Sequence, residues 1–123
     1  MIYNNEYQIK FYINSRTGES PVLKYLKRQD SRSLLKIYKY LNYLAEHNGY
    51  LDEPFSRHLF GKIRELRVDF ANNHHRLLYF SFFQKNIIVL SAFSKKTPKT
   101  PRKELKIAEE RYGDVINNPK IYE

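Results

Sequence analysis

Between residues 63 and 99 the chain reads IRELRVDFANNHHRLLYFSFFQKNIIVLSAFSKKTPK, and this stretch leaves few folds open. It holds three runs rich in Val, Ile, Leu, Phe and Tyr, cut by Asn72-Asn73 and again by Gln84-Lys85-Asn86. That pattern predicts three strands joined by tight hairpin turns, hence paired antiparallel. Strands this apolar can carry a packing layer on each face, so the cations that interrupt them need a reason. Arg67 sits between Leu66 and Val68, Arg76 opens the second strand ahead of Leu77, and Lys95-Lys96 follow the third. In the first strand Arg64, Leu66, Val68 and Phe70 alternate with Ile63, Glu65, Arg67 and Asp69, which points Arg67 away from the more apolar face. Like charges gathered on a small sheet repel, and a bound polyanion relieves that repulsion. The stretch therefore expects phosphate.

The flanking segments supply the layers. Residues 7–13 alternate Gln8 and Lys10 against Ile9, Phe11 and Ile13, as a half-buried strand does. Ser20-Pro21 starts a short helix running to about Gln29, with Val22, Tyr25, Leu26 and Gln29 on one side. Asp30 or Ser31 caps a second helix, in which Leu34, Ile37, Tyr38, Leu41, Leu44 and Ala45 recur at helical spacing until Asn48-Gly49 stops it. This helix hairpin needs the sheet to bury its stripe. Residues 50–62 read as a loop carrying Arg57, His58 and Lys62 up to the central strands. Thr100 caps a last helix with Pro101 at its first position, Leu105, Ala108 and Tyr112 as its stripe and Gly113 as its stop, and residues 114–123 read as an irregular tail. The expected class is α+β, a small antiparallel sheet with an N-terminal helix hairpin and a short C-terminal helix.

At 123 residues the chain suits one domain spanning residues 1–123. Its 22 Lys+Arg against 13 Asp+Glu give a formal charge of +9, for which nucleic acid is the default partner, although an anionic membrane or an acidic protein also satisfies it. Having no cysteine, it is excluded from disulfide and thiolate chemistry. No apolar run is long enough to span a bilayer and the first ten residues lack a signal-peptide layout, so a cytoplasmic protein without a membrane partner is expected. Aromatic residues make up 15%, and tyrosines exposed beside arginines can stack on bases.

Four short words occur in order: Arg64-Glu65-Leu66-Arg67 after Leu59-Phe60-Gly61; His75-Arg76-Leu77-Leu78-Tyr79; Phe93-Ser94-Lys95-Lys96-Thr97; and Thr100-Pro101 leading to Glu104-Leu105-Lys106-Ile107-Ala108. Together they resemble the RelE/ParE toxin superfamily, most closely its phage-derived HigB-like branch, over about residues 7–112. The resemblance implies a RelE-like fold and the toxin of a type II toxin–antitoxin system. Such a toxin is an endoribonuclease that cleaves mRNA on the ribosome without a metal or other cofactor, and a cognate helix-turn-helix antitoxin neutralises it.

Metal-free RNA cleavage by the ribose 2′-hydroxyl needs a base, a stabiliser for the charge on phosphorus and a proton for the leaving oxygen. Arginine stays protonated and offers a planar fork of donors, so Arg67 and Arg76 are candidate transition-state clamps; the plainer alternative pairs them with Glu65 or Asp69. A lysine among positive neighbours loses its proton more readily, which makes Lys95 the candidate base, with Lys96 as the alternative. Lys96, Lys99 and Arg57 suit holding the RNA backbone. Tyr79 reads either as core or as a phenol orienting phosphate, and His58 either as an acid or base or as a surface residue. His74 and His75, adjacent on a strand, face opposite ways and cannot chelate one ion together. Two competing readings remain, a non-catalytic ParE-like gyrase inhibitor and a basic RNA-binding module.

Overall fold

The computed structural model describes residues 7–123. Five strands form one mixed sheet: β1 (Gln8–Phe11), β2 (Ser56–Phe60), β3 (Ile63–Phe70), β4 (Asn73–Phe82) and β5 (Asn86–Ser94), in the order β1-β5-β4-β3-β2. The hairpins β3–β4 and β4–β5 pair antiparallel, as does β2 with β3, while β1 runs parallel to β5 at the far edge. Phe82 pairs with Asn86, so the β4–β5 hairpin closes through the three residues 83–85, of which Gln84 and Lys85 take positive φ. The first hairpin turns at Ala71 and Asn72, with Asn73 already paired to Phe70.

Helices α1 (Pro21–Lys27) and α2 (Ser31–Glu46) follow β1, and α3 (Arg102–Asn117) follows β5. Ser20 and Asp30 cap the first two through the backbone N–H groups of Leu23 and Ser33. Successive strand residues serve opposite faces, which is why the central strands read as apolar throughout. Leu66, Val68, Leu77, Tyr79, Ile87 and Val89 pack with Val22, Leu26, Ile37, Leu41 and Leu44. On the other face Ile63, Leu78, Phe80, Ile88 and Leu90 pack with Ala108, Val115 and Tyr122. Tyr38, expected in the α2 stripe, lies 41% exposed, one step round the helix from the buried line of Ile37, Leu41 and Leu44.

Four expectations are corrected. The sheet is mixed and not wholly antiparallel, because β1, joined to the later strands through the helices and not by a hairpin turn, lies parallel to β5. Residues 50–62 are not all loop, because β2 lies within them as an edge strand. Its SRHLF sequence shows no apolar alternation, since one face of so short an edge carries Arg57 and the other Ser56 and His58. Gly113 does not stop α3, which continues to Asn117, and the supposed irregular tail forms a further short 3-10 turn at Pro119–Tyr122. Asp114 holds that extension by accepting hydrogen bonds from Tyr12 and Ser15, while Val115 and Tyr122 bury themselves against the sheet. Finally, Thr100 makes no capping bond: the N-cap position falls on Pro101, and the Thr100 hydroxyl is turned toward the sheet.

Candidate functional site

Strand register builds the site. Arg67 on β3 and Arg76 on β4 are direct cross-strand partners, so both side chains leave the same face, the one α3 partly covers. Like charges directly opposite one another destabilise a sheet, and two carboxylates on that face offset them. Asp69 accepts from Arg76 Nη1 at 2.7 Å and Glu65 accepts from Arg67 Nε at 3.2 Å. Arg76 is almost fully buried, and its Nε has no hydrogen-bond partner among the described residues.

Glu65 is the hub. Its side chain is wholly buried, Arg57 Nε approaches it to 3.9 Å from the facing position of β2, and the Thr100 hydroxyl donates to its Oε2. Lys95, just past β5, is pinned by its backbone N–H donating to the His74 carbonyl at 2.9 Å, and its Nζ donates to Thr100 Oγ1 at 3.4 Å. The amine is thus joined through one hydroxyl to a buried carboxylate. Burial, then the nearby Arg76, Arg67 and Arg57, hold the Lys95 pKa below the ordinary lysine value, against the pull of Glu65.

These groups open onto a groove of about 370 Å³ lined by Arg67, His74, Arg76, Lys95, Lys96 and Thr97. His74 faces it with Nδ1 3.1 Å from Asp69 Oδ1. His75 faces the helices, where Nδ1 meets the Tyr25 hydroxyl at 2.6 Å. Asp69 is pushed up by partial burial but pulled further down by its hydrogen bonds from Arg76 and His74, so it stays ionised below the usual carboxylate range. Chemically, the groove offers two guanidiniums to a phosphate, an amine that loses its proton more easily than free lysine, and an imidazole oriented by a carboxylate.

Residues 24–113 match the model of the family described as phage derived protein Gp49-like (DUF891). The chain belongs to this family. Gp49-like proteins are associated with RelE-like toxins of toxin–antitoxin systems, and the matched span contains every groove residue named above. No curated protein matches the chain. In this Gp49-like chain Arg67, Arg76, Lys95 and Lys96 are brought together, with Arg57 behind Glu65. Lys99 lies exposed in the turn beyond, its carbonyl accepting from the Thr97 hydroxyl.

Neither Tyr79 nor His58 lines the groove; Tyr79 is buried across the sheet, and His58 lines a separate cavity at the β2 edge. Tyr79 is 1% exposed on the opposite face, bonded to Ser56 Oγ at 2.7 Å and to the Gly49 carbonyl at 3.1 Å. Alternation decides this, since Tyr79 lies three residues from Arg76 and strand neighbours an odd number apart face opposite ways. His58 pairs in register with Arg64 on that same face, and its Nε2 meets the Gly61 carbonyl. Glu65, His74 and Thr100 are the members that sequence reasoning passed over, although the i, i+2, i+4 series Glu65, Arg67, Asp69 was a usable sign of a charged sheet face. The Tyr79→Phe variant should lose about 1–3 kcal/mol of stability, because Gly49 and Ser56 are left with an unmet buried bond. Chemical denaturation measures that loss.

Proposed function

We propose that this single toxin domain, of the HigB-like kind, is an endoribonuclease that cuts mRNA on the ribosome in the cytoplasm and is held in check by a cognate antitoxin. The observation that carries the reading is the same-face register of Arg67 and Arg76 with the Lys95 amine buried beside them. The family's association with RelE-like toxins agrees with it. In the proposed reaction the neutral Lys95 amine takes the proton of the ribose 2′-hydroxyl. The 2′-oxygen then attacks phosphorus, and the bond to the 5′-oxygen breaks. Arg67 and Arg76 stabilise the charge gathering on the phosphoryl oxygens, while His74, oriented by Asp69, gives a proton to the departing 5′-oxygen. The products are a 2′,3′-cyclic phosphate and a 5′-hydroxyl.

The test is to incubate the protein with ribosomes translating a defined message and map the cut ends. Cyclic-phosphate ends within codons are expected. An intact message together with blocked DNA gyrase would move the reading to the ParE-like alternative.

A second prediction concerns pH. A lysine base acts when neutral, so the rate should climb with pH along a limb set by a Lys95 pKa below the usual 10.5, and fall again where the acid that must protonate the 5′-oxygen has lost its proton. The groups facing Lys95 are Glu65 and Arg67 on β3, His74 and Arg76 on β4, Arg57 on β2 and Thr100 beyond β5. Arg67→Gln removes a positive neighbour, so the rising limb should move to higher pH. Glu65→Gln removes the opposing negative charge, so it should move to lower pH. Lys95→Arg should abolish the limb altogether; a rising limb that survives in this variant would take the base role away from Lys95.

A further inference from the structure

A second cavity, of about 670 Å³, opens at the β2 edge and is lined by Tyr50, Asp52, Glu53, Arg57 and Arg64 among others. Its floor is fixed by hydrogen bonds from Arg64. Arg64 Nε and Nη2 donate to Ser56 Oγ at 3.2 and 3.1 Å, and Nη2 reaches the Leu51 carbonyl at 3.4 Å. This leaves Nη1 without a protein partner among the described residues. Its guanidinium carbon lies 4.6 Å from the centroid of the Tyr50 ring, while Tyr50 itself is 57% exposed. A tyrosine held by an arginine on one side and open to solvent on the other is a stacking platform for a planar ring. Neither Asp52 nor Glu53 forms an ion pair with another described residue.

We infer that this cavity is a nucleobase subsite that takes guanine from the RNA strand whose phosphate lies in the cationic groove. Guanine is chosen by donor–acceptor matching. A carboxylate only accepts, and guanine presents two adjacent N–H donors on its pairing edge, next to a carbonyl that accepts from an arginine. Adenine, cytosine and uracil lack that donor pair. Arg57 lines the cavity and approaches Glu65, the buried carboxylate that also holds the groove's Arg67, to 3.9 Å. The inference rests on RNA being the substrate of the groove, so its test separates base binding from cleavage.

GMP and AMP share a phosphate and differ in the base, so a nuclear magnetic resonance titration of the full chain with each isolates the base. GMP should shift the Tyr50 ring and Arg64 Nε–H signals and bind at least tenfold more tightly than AMP. The Asp52→Asn, Glu53→Gln double variant should erase that difference, and Tyr50→Leu should weaken both nucleotides. Cut ends from the wild type should be enriched for guanine at one fixed position from the broken bond, an enrichment the double variant loses. Equal affinity for GMP and AMP, or an unchanged preference in the double variant, overturns the subsite. Selective GMP binding by a protein that cuts no RNA would uphold the subsite and sink the nuclease reading.

Discussion

Arg76→Ala should cut the rate of the proposed RNA cleavage on the order of 10²–10³-fold, the usual loss when one preorganised donor to a developing negative charge is removed. That is about 3–4 kcal/mol of transition-state stabilisation. The guanidinium is held by the Asp69 carboxylate and the His75 carbonyl, both on Nη1. Its remaining donors are therefore set before substrate arrives. Lysine at this position should recover only part of the rate, since a point charge cannot reproduce a planar fork. The fold should survive, because the alanine relieves the repulsion between Arg76 and Arg67, and circular dichroism of each variant checks this. Message cleavage on translating ribosomes supplies the rate. A folded Arg76→Ala protein cutting at the wild-type rate would remove the clamp from the mechanism.

The site's charge was easier to read from sequence than its wiring. Cations inside apolar strands stand out because burial there is costly, and short hairpin turns fix which strands are neighbours. Which residues meet across the sheet depends on register, and the Ala71–Asn72 turn sets Arg67 opposite Arg76. A one-residue slip would have sent them to different faces. Tyr79 was open to misreading for the same reason, as it is close to Arg76 in sequence and on the far side of the sheet. β2 escaped notice because edge strands need not alternate, and its sequence identity lies in Arg57 and Ser56 serving opposite faces. Thr100 looked like a helix cap by position, yet a buried carboxylate outcompetes a helix terminus for its hydroxyl. Gly113 misled because a glycine late in a helix is a stop only when the chain turns left-handed there, and here Asp114, Val115 and Tyr122 draw the chain onward along the sheet. None of these partners is local in sequence.

Glu65→Ala should be the most destabilising change on the groove face. The carboxylate is wholly buried and is the common partner of Arg67, Arg57 and the Thr100 hydroxyl. Removing one member of a buried ionic set leaves the others facing each other, at a typical cost of about 3–5 kcal/mol. The lower end applies here, since the Arg67 and Arg57 side chains keep 24% and 39% exposure and can turn toward water. About 3 kcal/mol corresponds to a fall in Tm on the order of 10 °C for a domain of this size. Glu65→Gln should lose less, as its amide oxygen still accepts from Thr100. Repulsion among partly exposed cations is screened by salt, so the Glu65→Ala deficit should shrink between low and high ionic strength while that of Tyr79→Phe, a neutral hydrogen-bond loss, stays constant. Thermal unfolding of both variants across a salt series measures this. A Glu65→Ala protein as stable as the wild type, with a salt-independent Tm difference, would mean that the arginines hold themselves apart without the carboxylate, and the hub would be reduced to a packing residue.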